Sequence, residues 1–69
     1  MTEGKRIGLQ LQEMRKQSGY SQERVANDLF ISQSYLRKIE HGEANPSVNM
    51  VDKIARYLEE AIREKDQED

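Results

Sequence analysis

Apolar positions recur along this chain at helical spacing, and nowhere do they alternate as strands do. Ile7, Leu11 and Met14 follow one another at intervals of four and three between Lys5 and Ser18, one face of an amphipathic helix. Val25, Ala26 and Leu29 give a shorter second face, Leu36 and Ile39 a third. From Val48 onward, Val51, Ile54, Ala55, Leu58 and Ile62 keep the same spacing. Between these runs lie stop and start signals. Gly19 and Gly42 accept the left-handed conformation that closes a helix. Ser21 and Ser32 each precede a run by one residue, where a hydroxyl accepts from the free N–H groups of a first turn. Asn45-Pro46-Ser47 is a loop followed by a new cap, because proline cannot continue a helix and disfavours helical geometry before it. Met1 to Gly4 reads as a frayed end. The pattern predicts an all-α chain of four helices with no internal repeat.

The two serine caps stand eleven positions apart. A helix of about two turns ending near Leu29 leaves roughly three residues for a joint, the arrangement of a helix-turn-helix unit over 21–42. Gly8, inside the first helix, costs about 1 kcal/mol relative to alanine, and close approach by another helix accounts for it. Leu9 points away from the Ile7/Leu11/Met14 face and is expected in solvent. Tyr20, just before the Ser21 cap, suits a hydrophobic staple over the first turn of the second helix.

Composition narrows the function more than the fold. At 69 residues the chain is one small domain, near the size where a single core provides only about 3–5 kcal/mol, so size alone predicts a dimer. Without cysteine there is neither a disulfide framework nor a thiolate metal site, and a lone histidine, His41, cannot build a metal site or a catalytic pair. No cofactor, metal or enzymatic activity is expected. No apolar run nears the roughly 20 residues of a membrane span, and no signal peptide is visible, which predicts a cytoplasmic protein. The net charge of −2 argues against a nucleic-acid partner until the chain is divided. Residues 1–41 carry seven Lys/Arg against five Asp/Glu, and residues 42–69 carry four against eight. The basic half holds the helix pair, and a phosphate backbone meets the local field.

At this point the chain resembles a family, the Cro/CI-type (XRE-like) helix-turn-helix repressors. The pattern runs through Ile7-Gly8, Leu11, Met14-Arg15, Gly19, Ser21-Gln22-Glu23, Val25-Ala26, Ile31-Ser32, Leu36, Ile39-Glu40, Gly42, Pro46-Ser47, Ile54-Ala55 and Leu58. The resemblance implies a compact four- to five-helix, lambda-repressor-like DNA-binding domain over 1–62, followed by an acidic helix end or tail over 63–69. It implies a homodimer on double-stranded DNA, its third helix in the major groove of a two-fold symmetric operator. Arg15 and Glu40 match the family's structural ion pair, a planar guanidinium on a carboxylate. Gln22 matches a residue that reaches a phosphate and braces the recognition helix. Gln33, Ser34, Arg37 and Lys38, with Tyr35 on the flank, are the expected base contacts, since Gln suits adenine and Arg or Lys suits guanine. Phosphate contacts are expected from Gln22, Arg24, Asn45 and Ser47. His41 is expected as a helix-end contact or a phosphate neighbour.

Two departures from the family pattern carry their own expectations. Phe30 stands where the joint usually has glycine, so either the turn has another shape or the strain is offset by packing the ring at the core edge or on a partner. After Leu58 the chain continues without glycine or proline, predicting one long fourth helix to about Lys65 rather than a separate fifth. That length leaves Tyr57, Ala61 and Ile62 with too little core to cover, which points to a symmetric dimer interface. The function expected is a sequence-specific repressor acting by occlusion, controlled by its concentration or by an antagonist protein. The competing class is a protein-interaction module, antitoxin-like or anti-repressor-binding, with DNA contact secondary.

Overall fold

The computed structural model describes residues 2–67. Four helices follow one another, α1 (Glu3–Ser18), α2 (Gln22–Asp28), α3 (Gln33–Glu40) and α4 (Val48–Asp66), with no strand among the described residues. Each serine expected as a cap is one: the Oγ atoms of Ser21, Ser32 and Ser47 accept from the backbone N–H groups of Arg24, Tyr35 and Met50 at 3.1, 3.0 and 3.1 Å. The N-terminus differs from the expected frayed end. Thr2 caps α1 by accepting from the Lys5 N–H at 3.2 Å, and Glu3 complements the positive end of the helix dipole, so α1 begins two residues earlier.

α2 and α3 close in the same way. After α3, Gly42 stands at φ 74°, its N–H donating to Ile39 O at 3.1 Å while Glu43 N–H donates to Lys38 O at 2.8 Å, a Schellman closure. After α2, Phe30 stands at φ 59°, with Phe30 N–H on Asn27 O at 3.2 Å and Ile31 N–H on Ala26 O at 3.0 Å. The joint therefore keeps the glycine geometry and places a phenylalanine in it. Its ring is 91% exposed, so the core edge does not receive it.

Leu11, Val25, Ala26, Leu29, Leu36, Ile39, Ile54 and Leu58 form one core with contributions from every helix and from the α2–α3 joint. α1 packs on both α3 and α4, and α2 packs on α3. The approach of α1 to α3 depends on Gly8. A methyl group there would run into the carbonyl oxygen of Ile39 and lie 2.9 Å from that of Glu40.

α4 is a single helix, which excludes a separate fifth within residues 2–67, and it ends at Asp66. Its second half does have core to cover, contrary to the expectation that Tyr57, Ala61 and Ile62 stand free. Ala61 is buried and Tyr57 is half-buried. The Tyr57 ring meets that of Tyr20 at a centroid distance of 6.0 Å, and its hydroxyl donates to Asp28 Oδ2. Farther along, Lys65 Nζ donates to Gln17 O at 3.1 Å, placing a cation at the negative end of α1. The sequence could not show that the C-terminal turns of α1 and the start of α2 provide this cover. Residues 63–66, expected in the acidic end, are exposed turns of α4, and Glu68 and Asp69 lie outside the described residues.

Candidate nucleic-acid interface

The eight residues of α3 divide cleanly by face. Leu36, Ile39 and Glu40 are buried, Tyr35 is half-buried against the core, and Gln33, Ser34, Arg37 and Lys38 are exposed. The helical period turns positions 34, 37 and 38 outward once Leu36 and Ile39 turn inward, while Gln33, three residues before Leu36, lies on the flank and is exposed at the start of the helix. The outward set carries amide, hydroxyl and cationic donors, the chemistry that pairs with base edges.

A charged brace beneath this face fixes the angle of α3. Arg15 Nε donates to Glu40 Oε2 at 2.7 Å and its Nη2 to Oε1 at 3.1 Å, a fork on a carboxylate, while Nη1 reaches Tyr20 O at 3.2 Å. Gln22 Nε2 completes the set on Glu40 Oε1 at 3.0 Å. The Glu40 side chain is 1% exposed and that of Arg15 14%. Three helices thus meet on one buried carboxylate whose oxygens are all satisfied. Gln22 and Gln33 share a shallow notch of about 560 Å³ with Arg15, Ser21 and Glu23. The expected bracing residue and the first of the expected base readers therefore lie side by side.

The remaining expected contacts are distributed differently. Asn45 and Ser47 are exposed on the α3–α4 connection, and Ser47 already uses its Oγ to cap α4. Asn45 borders a small cleft with Glu3, Gly4 and Ile7 of α1. His41 is exposed at the end of α3. Arg24 is placed apart from Gln22 and Gln33. Its guanidinium sits 3.8 Å over the Tyr20 ring centroid and 3.9 Å from Asp28 Oδ2, and it lines a pocket with Ala61, Glu64 and Lys65. The cation stacks on an aromatic face and pairs with a carboxylate, roles that orient it toward α4. The chain Tyr20, Arg24, Asp28, Tyr57 joins α2 to α4. The first three recur every fourth residue, and sequence reading missed the tie because Tyr57, its other end, lies 29 positions beyond Asp28. Burial, then the hydrogen bond to Asp28, pushes the Tyr57 phenol up to about 12.

The cations of α2 and α4 are committed to protein partners. Among the described residues every cation of α2 and α4 has one: Arg24 with Asp28, Arg56 with Asp52, Arg63 with Glu60, Lys53 with Leu29 O and Lys65 with Gln17 O. Arg37 and Lys38 of α3 have none, so the outward face of α3 holds uncommitted positive charge.

Comparison with known proteins agrees with this geometry. The Helix-turn-helix family profile matches residues 11–65. The chain is 41% identical over 59 residues to the HTH-type transcriptional regulator SlrR of Bacillus subtilis, an alignment covering 84% of this chain and 39% of SlrR. It is 32% identical over 57 residues to the HTH-type transcriptional regulator SinR of Bacillus subtilis, covering 81% of this chain and 51% of SinR, and SinR of Bacillus licheniformis matches to the same extent. The chain thus spans about half the length of these relatives or less. No solved structure matches it. With its paired helices, glycine-type joint and braced outward helix now set beside these matches, the chain belongs to the XRE-like helix-turn-helix family of transcriptional regulators, a family without enzymatic activity.

Proposed function

We propose that this protein is a sequence-specific DNA-binding regulator that lays α3 in the major groove and acts as a homodimer on a two-fold symmetric operator. The observation that carries the reading is the division of α3, with Gln33, Ser34, Arg37 and Lys38 outward above a three-helix brace on Glu40. Gln33, Ser34 and Arg37 read bases, Lys38 and Tyr35 divide between bases and backbone, and Gln22, Asn45 and Ser47 position the backbone. Arg24, held against Tyr20 and Asp28, is left to bracing. Repression follows from occlusion, because a domain of this size in a groove excludes other proteins from the same site. The setting is cytoplasmic. Control comes from the protein's concentration or from an antagonist protein.

A dimer follows from the short reach of one α3, eight residues or about 12 Å of rise, against an operator with two half-sites. With Tyr57 and Ala61 occupied inside the chain, Ile62 alone of the expected trio keeps a claim on the interface. Selection of binding sites from random duplexes tests the whole reading. The expected result is an inverted repeat bound two chains to one duplex, with affinity falling steeply as salt rises through counterion release. Recovery of no consensus, or binding insensitive to salt, overturns it. One observation favours the protein-interaction reading: Phe30 keeps a strained backbone and an exposed ring. A partner protein that binds the wild type and not Phe30→Gly, with DNA binding weak and unselective, establishes that reading instead.

A further inference from the structure

Lys5, in the first turn of α1, lies beside the closure of α3 although it belongs to neither of the paired helices. The first turn of α1 packs on the closure of α3. A Cβ on Gly42 would lie 2.5 Å from Lys5 Cγ, 2.8 Å from its Cα and 3.1 Å from its N. Only glycine leaves room for that contact, and Gly42 needs its left-handed φ of 74° for the closure as well. The neighbouring cleft has Glu3 and Gly4 on one side and Asn45 and Pro46 on the other, so the α1 N-terminus borders the α3–α4 connection too. Lys5 is exposed and makes no ion pair or side-chain hydrogen bond among the described residues. In this it differs from every cation of α2 and α4 and resembles Arg37 and Lys38 of α3 and Arg6 and Lys16 of its own helix; its place beside Gly42 is what sets it apart.

We propose that Lys5 is a further DNA-backbone contact, reaching a phosphate beside the C-terminal end of α3. It rests on the reading that α3 lies in the major groove. A duplex seated on the outward face of α3 brings a phosphate strand past each end of that helix. Exposed side chains at the C-terminal end are those of Arg37 and Lys38 in the last turn of α3, His41, Glu43 and Asn45 after it, and Lys5 of α1. Lys5 is packed there against the open side of Gly42, so its side chain starts from the C-terminal end of α3. The carboxylate of Glu43 makes a second cation at this end useful. The competing role for Lys5 is purely structural, a cation near the negative end of α3.

The test measures binding of the full chain to a labelled duplex recovered by selection and to a random-sequence duplex of equal length, each across a salt series. Lys5→Gln is expected to weaken binding to both duplexes by roughly five- to tenfold at about 0.1 M salt and to flatten the logarithmic salt slope by about 0.9 per chain. Lys5→Arg is expected to keep the slope, and Arg56→Gln, which removes a cation of an ion pair on α4, to leave both affinity and slope unchanged. A lowered melting temperature for Lys5→Gln with an unchanged salt slope assigns the residue to the helix end and overturns the proposal. Wild-type protein that binds the random duplex as tightly as the selected one overturns the major-groove reading, whereas selective wild-type binding with an unaltered Lys5→Gln slope overturns the Lys5 contact alone.

Discussion

Phe30 shows how one residue can keep a turn at some cost. The joint needs a left-handed residue after Leu29, and phenylalanine adopts that conformation with about 1–2 kcal/mol of strain. Nothing crowds the position, unlike Gly42 against Lys5, so the side chain is tolerated while the strain remains. Glycine would relieve it but lose more chain entropy on folding, about 0.5–1 kcal/mol. Phe30→Gly is therefore expected to stabilise the fold by a net 0.5–1 kcal/mol, roughly, as read by chemical denaturation. Gly8 behaves oppositely. Its substitution by alanine forces α1 away from the Ile39 and Glu40 carbonyls, and a loss of about 1–3 kcal/mol is expected in the same measurement. Both glycine-type positions could be located in the sequence, Gly8 by its place inside a helix and Phe30 by the glycine it replaces. Which atoms surround them is tertiary information that no local pattern contains.

At the scale of the elements, start signals were legible where serine stood before an apolar period, as at Ser21, Ser32 and Ser47. Thr2 was not, because only a few residues preceded the first apolar position and gave no contrast. The cover over Ala61 was also illegible, since it depends on the ends of α1 and α4 meeting through Lys65 and Gln17. The brace at Glu40 was readable only through family resemblance, its partners lying 25 and 18 positions away. Removing Arg15 leaves that carboxylate buried and uncompensated. Arg15→Ala is expected to cost about 3–5 kcal/mol, comparable with the whole stability of a domain this small, and to show as a chain largely unfolded by circular dichroism. The α2–α4 tie has a pH signature. The Tyr57 phenol rises in the fold from its ordinary 10.0 to about 12, so its contribution is fully present below pH 10 and is lost as pH rises through about 12. Denaturation at pH 9 and pH 11.5 is expected to show a fall in stability for wild type that is smaller for Tyr57→Phe.

For the molecule as a whole, charge is placed more informatively than its sum. The net charge of −2 hides a division in which α2 and α4 hold their cations on carboxylates or backbone carbonyls and α3 leaves its own exposed. The halves of the sequence hinted at this, and pairing made it specific. The central claim is that the outward face of α3 reads bases, and the most direct measurement compares Gln33→Ala with wild type on the selected duplex, on single-base variants of it, and on random DNA. A loss of about 1–3 kcal/mol on the selected duplex, relaxed preference at one base position in each half-site, and near-unchanged binding to random DNA are predicted. An equal loss on every sequence, or no loss on the selected one, contradicts the account.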